Sequence, residues 1–166
     1  MKALNKSVEM LTKVLMIIAS AYLIYLLIAC TAQVISRYVF NSSLSWTEET
    51  ARYAFAGMGL IGIPVALSKG MHVCVDVLEN KLSGIPKEIQ KIIHILLEIY
   101  ISVIFVVFGW KLFSSMNGIY SPAVRVPMQA VYYAIPLCGL SSLWILIVDL
   151  VNHILGLIQL IKNGDR

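Results

Sequence analysis

The sequence predicts an all-α polytopic membrane protein with four transmembrane helices, and three observations predict it. Hydrophobic residues make up 59% of the 166, mean hydropathy is +0.83, and charged residues are only 13%. Soluble domains carry about 25% charge, so this chain has too little to cover a water-facing surface. The apolar residues also fall into four runs, each near the roughly 20 residues that a helix needs to cross a hydrocarbon core. The composition excludes a soluble enzyme, a disordered tail and a disulfide-rich secreted module.

The first run, 14–35, holds 22 residues without a charge, between Lys13 and Arg37. Leu27-Ile28-Ala29-Cys30 has the form of a lipoprotein cleavage box, but the run is longer than a usual signal core, and we read a true span. The second, 51–67, is short and contains Arg52. Ser45-Trp46-Thr47-Glu48 has the form of a capping box, Ser45 at the N-cap and Glu48 reaching back, which extends the span to 46–67. The third run, 92–113, carries Glu98, and the fourth, 130–150, carries Pro136. Pro86 suits a first helical turn, so the third helix is expected to start well before its apolar run. Residues 75–82 are apolar on one side and charged on the other, which predicts a short interfacial helix in the loop after the second span. No repeat, linker or second domain is visible, so residues 1–166 form a single membrane domain.

Orientation follows from the flanking cations, because cytoplasmic loops are enriched in Lys and Arg. One side holds Lys2, Lys6, Lys13, Lys69, Lys81, Lys87, Lys91, Lys162 and Arg166; the other holds Arg37, Arg52, Lys111 and Arg125. Nine against four places both termini in the cytoplasm. The net charge of +4 is spread without runs, so no footprint for nucleic acid exists. Cys30, Cys74 and Cys138 form no CxxC pattern, and no metal motif is read.

Glu98 is the first candidate for chemistry, since a carboxylate at the bilayer centre costs about 2.5–3.5 kcal/mol. A proton-coupled exporter would use it. Its place one turn beyond His94 and two beyond Lys91 favours a structural role near the interface, paired with His94 or snorkelling. His94 and His153 fall at one depth on neighbouring antiparallel helices, where a b-type haem would take them as axial ligands. That gives a second class, a haem- or quinone-associated anchor of an electron-transfer complex. Bulky isoleucines around His94 count against it.

Arg37, Trp46, Glu48, Glu49 and Arg52 gather at the start of the second helix. Glu48 and Arg52 are spaced i,i+4 and Glu49 and Arg52 i,i+3, so one turn can neutralise itself, and both carboxylates suit a helix N-terminus. The same group can serve as a docking surface; local geometry does not choose. Ala56, Gly59, Gly62 and Ala66 form a small-residue face, as Ala29, Ala32 and Ser36 do in the first helix, and such faces let helices approach closely in lipid. The spans otherwise lack the polar lining of a solute path. An accessory or scaffold subunit is the expectation.

Arg37-Tyr38-Val39-Phe40, then Ser45 through Tyr53, then Gly70-Met71-His72-Val73-Cys74-Val75-Asp76 resemble the signature of the DctQ family, with Pro127, Tyr132, Pro136 and Gly139 similar in the fourth span. These are the small membrane subunits of tripartite ATP-independent periplasmic (TRAP) transporters, and the likeness covers nearly the whole chain. Met71 departs from it, since a second small residue is common there. The resemblance implies a non-catalytic subunit of the bacterial inner membrane that braces a large multi-span subunit and helps dock a periplasmic substrate-binding protein. Import of an organic acid such as a C4-dicarboxylate or sialic acid follows from it, driven by an ion gradient. Sodium, expected in the large subunit, leaves this chain without a cofactor. Carried onto this chain, the resemblance makes Arg37, Trp46, Glu48, Glu49 and Arg52 outer-face partner residues, gives the small face of the second helix to the large subunit, and marks His72 and Asp76 as structural residues of the inner loop.

Overall fold

The structure is a computed structural model that describes residues 2–42, 44–70 and 85–164. It is helical, with α1 at Lys2–Val39, α2 at Ser45–Ser68, α3 at Ile85–Ser115, the short α4 at Met128–Tyr132 and α5 at Ala134–Gly164. Among the described residues, four helices are long and apolar enough to cross a membrane, as the composition predicts. His72, Asp76 and the expected interfacial helix at 75–82 lie outside the described residues.

The helices outrun their apolar cores. At about 1.5 Å per residue, the 38 residues of α1 extend well beyond a hydrocarbon core of about 30 Å. Pro86 stands in the first turn of α3, where its missing N–H costs nothing, and the helix precedes its apolar run as expected. The fourth span differs from a single helix. It breaks at Tyr133, so that Pro136 enters the first turn of α5 instead of the interior of a continuous helix.

Packing follows a seven-residue beat. Leu15, Tyr22, Ala29 and Ser36 are shielded on α1; Thr47, Ala54 and Ile61 on α2; Ile95, Ser102 and Gly109 on α3; Ser141 and Val148 on α5. This spacing keeps one seam of each helix toward its neighbour. The chain thus forms two hairpins, α1 with α2 and α3 with α5, joined by contact between α2 and α5. Helix α5 is the most shielded span and α1 the least.

Small residues set the closest contacts. A Cβ on Gly109 would lie 2.7 Å from Ile135 Cγ2 and 3.0 Å from Pro136 N, and one on Gly139 would lie 2.9 Å from Val106 N. The two glycines seat α3 and α5 against each other's backbones, the close approach that substitutes for a hydrophobic driving force within lipid. Ser102, Ser141 and Ser142 are also buried. The Ser141 hydroxyl donates to the carbonyl of Leu137 at 2.8 Å within its own helix, so it adds little polarity to the seam.

The two small-residue faces have different fates. On α1, Ala29 and Ser36 are buried in the α1–α2 hairpin. On α2, Gly57 carries the Tyr22 ring, while Gly59 and Gly62 have none of the described residues near the place a Cβ would take. Ala56 and Gly59 are exposed, beside exposed Phe55 and Ile63. That stripe is left open.

A carboxylate clamp and an open helix face

The expected capping box at the start of α2 does not form. Leu44 holds the N-cap position and no side chain caps the helix. The reason is local competition: the fully buried Thr47 hydroxyl donates to the Leu44 carbonyl at 2.6 Å, and Glu48 turns outward to Arg52 at 3.3 Å. Ser45 is already the first helical residue.

Glu49, one residue on, points inward. Its Oε2 accepts from the Ala123 N–H at 2.7 Å and the Val124 N–H at 3.1 Å, and its Oε1 from the Tyr53 hydroxyl at 2.7 Å. Tyr53 in turn reaches Met128 Sδ at 3.6 Å. One carboxylate therefore ties the first turn of α2 to the connection between α3 and α4. That connection is a tight turn in its own right, since Met128 N–H donates to the Ile119 carbonyl at 2.9 Å and Ser121 N–H to the Val126 carbonyl at 3.0 Å. The Ser121 hydroxyl accepts from Val126 N–H, and Arg125 takes a left-handed backbone with φ of 56°. Two amides exposed by such a turn want an acceptor, and a charged one binds them about twice as strongly as a neutral one.

The five residues read as one cluster thus divide. Glu49 is buried and internal. Glu48 and Arg52 form an exposed i,i+4 pair, Trp46 is half exposed, and Arg37 is exposed in the last turn of α1. Of the two expected pairings with Arg52, that of Glu48 forms, while Glu49 turns to the Ala123 and Val124 amides and Tyr53 instead. Sequence reasoning missed Tyr53, Ala123 and Val124; Tyr53 stands at i+4 from Glu49, a legible signal, whereas the amides lie 74 and 75 residues away.

At the opposite end, a cleft of about 470 Å³ is lined by all four long helices and includes Lys91, His94, Glu98, Asp149 and His153. His153 Nδ1 meets Glu88 Oε2 at 2.9 Å, and its Nε2 faces Asp149 at 3.8 Å. Glu88 also faces Lys91 at 3.8 Å. This is an ion and hydrogen-bond network joining α3 to α5, and half-buried Glu98 belongs to its cleft. Among the described residues, no group of three or more His, Cys, Asp or Glu is arranged to hold a metal.

Residues 26–156 match the family described as "Tripartite ATP-independent periplasmic transporters, DctQ component". The chain belongs to the DctQ family. It is therefore a multi-pass component of a TRAP transporter and not an enzyme. Among relatives, it is 30% identical over 144 residues to a Haemophilus influenzae protein named "Putative TRAP transporter small permease protein", covering 87% of this chain and 89% of that one. It is 32% identical over 147 residues to the sialic acid TRAP transporter permease protein SiaT of Haemophilus influenzae, covering 87% of this chain but only 22% of SiaT. The C4-dicarboxylate TRAP transporter small permease protein DctQ of Vibrio cholerae is 28% identical over 80 residues, 48% of this chain and 34% of that one. The DctQ assignment gives no support to the haem or quinone anchor, and His153 has both ring nitrogens toward carboxylates.

Proposed function

We propose that this chain is the small subunit of a sodium-coupled TRAP transporter importing an organic acid, with sialic acid and C4-dicarboxylates as the candidate substrates. It braces the large transport subunit and helps dock the soluble periplasmic binding protein. One observation carries the reading: a unit alike over 87% of this chain makes up about a fifth of SiaT, a single longer permease. A separate large subunit is the corresponding reading for this chain, since a relative named as a small permease protein is matched over 89% of its own length. The small-residue stripe of Ala56, Gly59, Gly62 and Ala66, exposed at Ala56 and Gly59, supports this, because small residues in lipid are useful where a second backbone approaches. The two substrate classes come from the names of the relatives, and sodium from the family likeness.

The cation count supports an orientation with the Glu49 clamp on the periplasmic side, the His153 cleft on the cytoplasmic side and both termini in the cytoplasm. On this reading, Glu49 holds the outer turn in shape while Arg37, Trp46 and Arg52 stay exposed to meet the binding protein. The exposed pair between Glu48 and Arg52 contributes about 0–1 kcal/mol, so Arg52→Ala leaves complex abundance and thermal stability unchanged. Combined with Trp46→Ala, it is expected to raise the binding-protein concentration needed for half-maximal uptake by about tenfold, the effect of losing an aromatic anchor. Proteoliposome uptake titrated with binding protein measures this. An unchanged titration at normal complex abundance removes the docking role from these residues.

A further inference from the structure

A second groove lies at hydrocarbon depth. Tyr22 and Tyr25 of α1, Tyr53 and Gly57 of α2, Val126 and Ala134 are among the residues enclosing about 540 Å³. Tyr22 and Tyr25 lie in the middle of the uncharged 14–35 run, so this space meets lipid and not water. Beyond the groove, toward the N-terminus of α1, α5 is tied to α1 by Trp144 Nε1 donating to the Ser7 hydroxyl at 3.3 Å and by Asn152 to Asn5 at 3.2 Å. At the other end stands Arg125, exposed and next to groove-lining Val126.

We propose that this groove holds one phospholipid, an acyl chain between α1, α2 and α4–α5 and its phosphate at Arg125. Size favours a hydrocarbon chain over a whole helix. A helix about 10 Å across and rising 1.5 Å per residue fills about 120 Å³ per residue, so the groove takes little more than one turn of it. An apolar cavity of about 150 Å³ takes a benzene, and on that scale the groove takes about 20 carbons, one acyl chain. The walls suit such a guest: Ala21, Ala130 and Ala134 give a smooth surface, and Tyr53 has its hydroxyl committed to Glu49. Charge suits it as well, because the guanidinium at the open end is matched by a phosphate.

The test uses the full chain in vesicles of phosphatidylethanolamine and phosphatidylglycerol with a trace of phosphatidylglycerol bearing a diazirine in its acyl chain. After irradiation, labelled peptides are read by mass spectrometry. Label is expected to concentrate at the groove residues Ala21 and Ala130 over the outward Leu27 and Ile28. Ala21→Phe with Ala130→Phe fills the groove and lowers its label severalfold, with the label at Leu27 and Ile28 unchanged as evidence that the helices remain folded. Arg125→Gln leaves the walls intact and lowers the same label. Label that merely follows exposure along α1, or groove label that persists in both variants, overturns the proposal. So does loss of groove label when the large subunit is added, which would assign the space to that partner.

Discussion

Replacing Gly139 with valine drives α3 from α5 and lowers the amount of folded chain in the membrane severalfold. Even the first added carbon would lie 2.8 Å from Val106 Cγ2, 2.9 Å from Val106 N and 3.0 Å from Phe105 Cβ. A side chain can turn away from such a contact, but the backbone nitrogen cannot without moving α3. Gly109 has the reciprocal position, against Ile135 Cγ2 and Pro136 N. Overpacking costs about 1–3 kcal/mol where relaxation is possible, and a seam closed by two glycines leaves little room to relax. Against a total stability of about 5–15 kcal/mol, loss of the α3–α5 hairpin is the expected result for either valine variant. Gly156→Ala is the control, since nothing lies near its Cβ position and alanine favours helix by about 0.5–1 kcal/mol. Membrane abundance and thermal unfolding in detergent separate the variants. Normal abundance of both Gly109→Val and Gly139→Val would mean that the α3–α5 seam is looser than described.

Glu49→Ala opens the turn between α3 and α4. The alanine removes the acceptor of two backbone amides and of the Tyr53 hydroxyl together. An amide left without a partner in a half-buried site must reorganise to find water, and here two adjacent amides do so at the tip of one turn. Exchange of the Ala123 and Val124 amide hydrogens is expected to quicken by about tenfold or more. Proteolysis within 119–127 should increase, and the thermal midpoint should fall by several degrees. Glu49→Gln retains an oxygen acceptor at reduced strength and lies between. Glu48→Ala, which removes only the exposed pair with Arg52, changes none of these. Amide exchange read by mass spectrometry decides. Equal protection of Ala123 and Val124 in wild type and Glu49→Ala would remove the clamp.

What the sequence carried, and what it did not, follows the range of the interactions. The four spans were legible because lipid depth imposes a length and a composition on each segment alone. The early start of α3 was legible from Pro86, a local signal. Ser45 misled because a capping box and a helix beginning one residue earlier share the same residues; burial of Thr47 decided between them, and burial is a tertiary property. The break at Tyr133 was hidden because apolar composition runs straight through it and Pro136 alone does not fix which turn it occupies. Glu49 looked like part of a surface group, since its partners in the turn are distant in sequence. The small faces of α1 and α2 read alike, yet one is packed inside and the other left open, because which face turns toward a neighbour depends on where the other helices sit.

The central claim is that this chain braces a large permease through the open face of α2, and recovery of that partner from native membranes tests it most directly. Tagged wild-type chain, extracted in gentle detergent and read by mass spectrometry, is expected to bring down one larger polytopic protein in stoichiometric amount. The variant with Gly59→Leu and Gly62→Leu fills space that no described residue occupies, so it should remain folded and lose that partner. Wild-type chain recovered alone, or with haem or flavin subunits in place of a permease, would contradict the account.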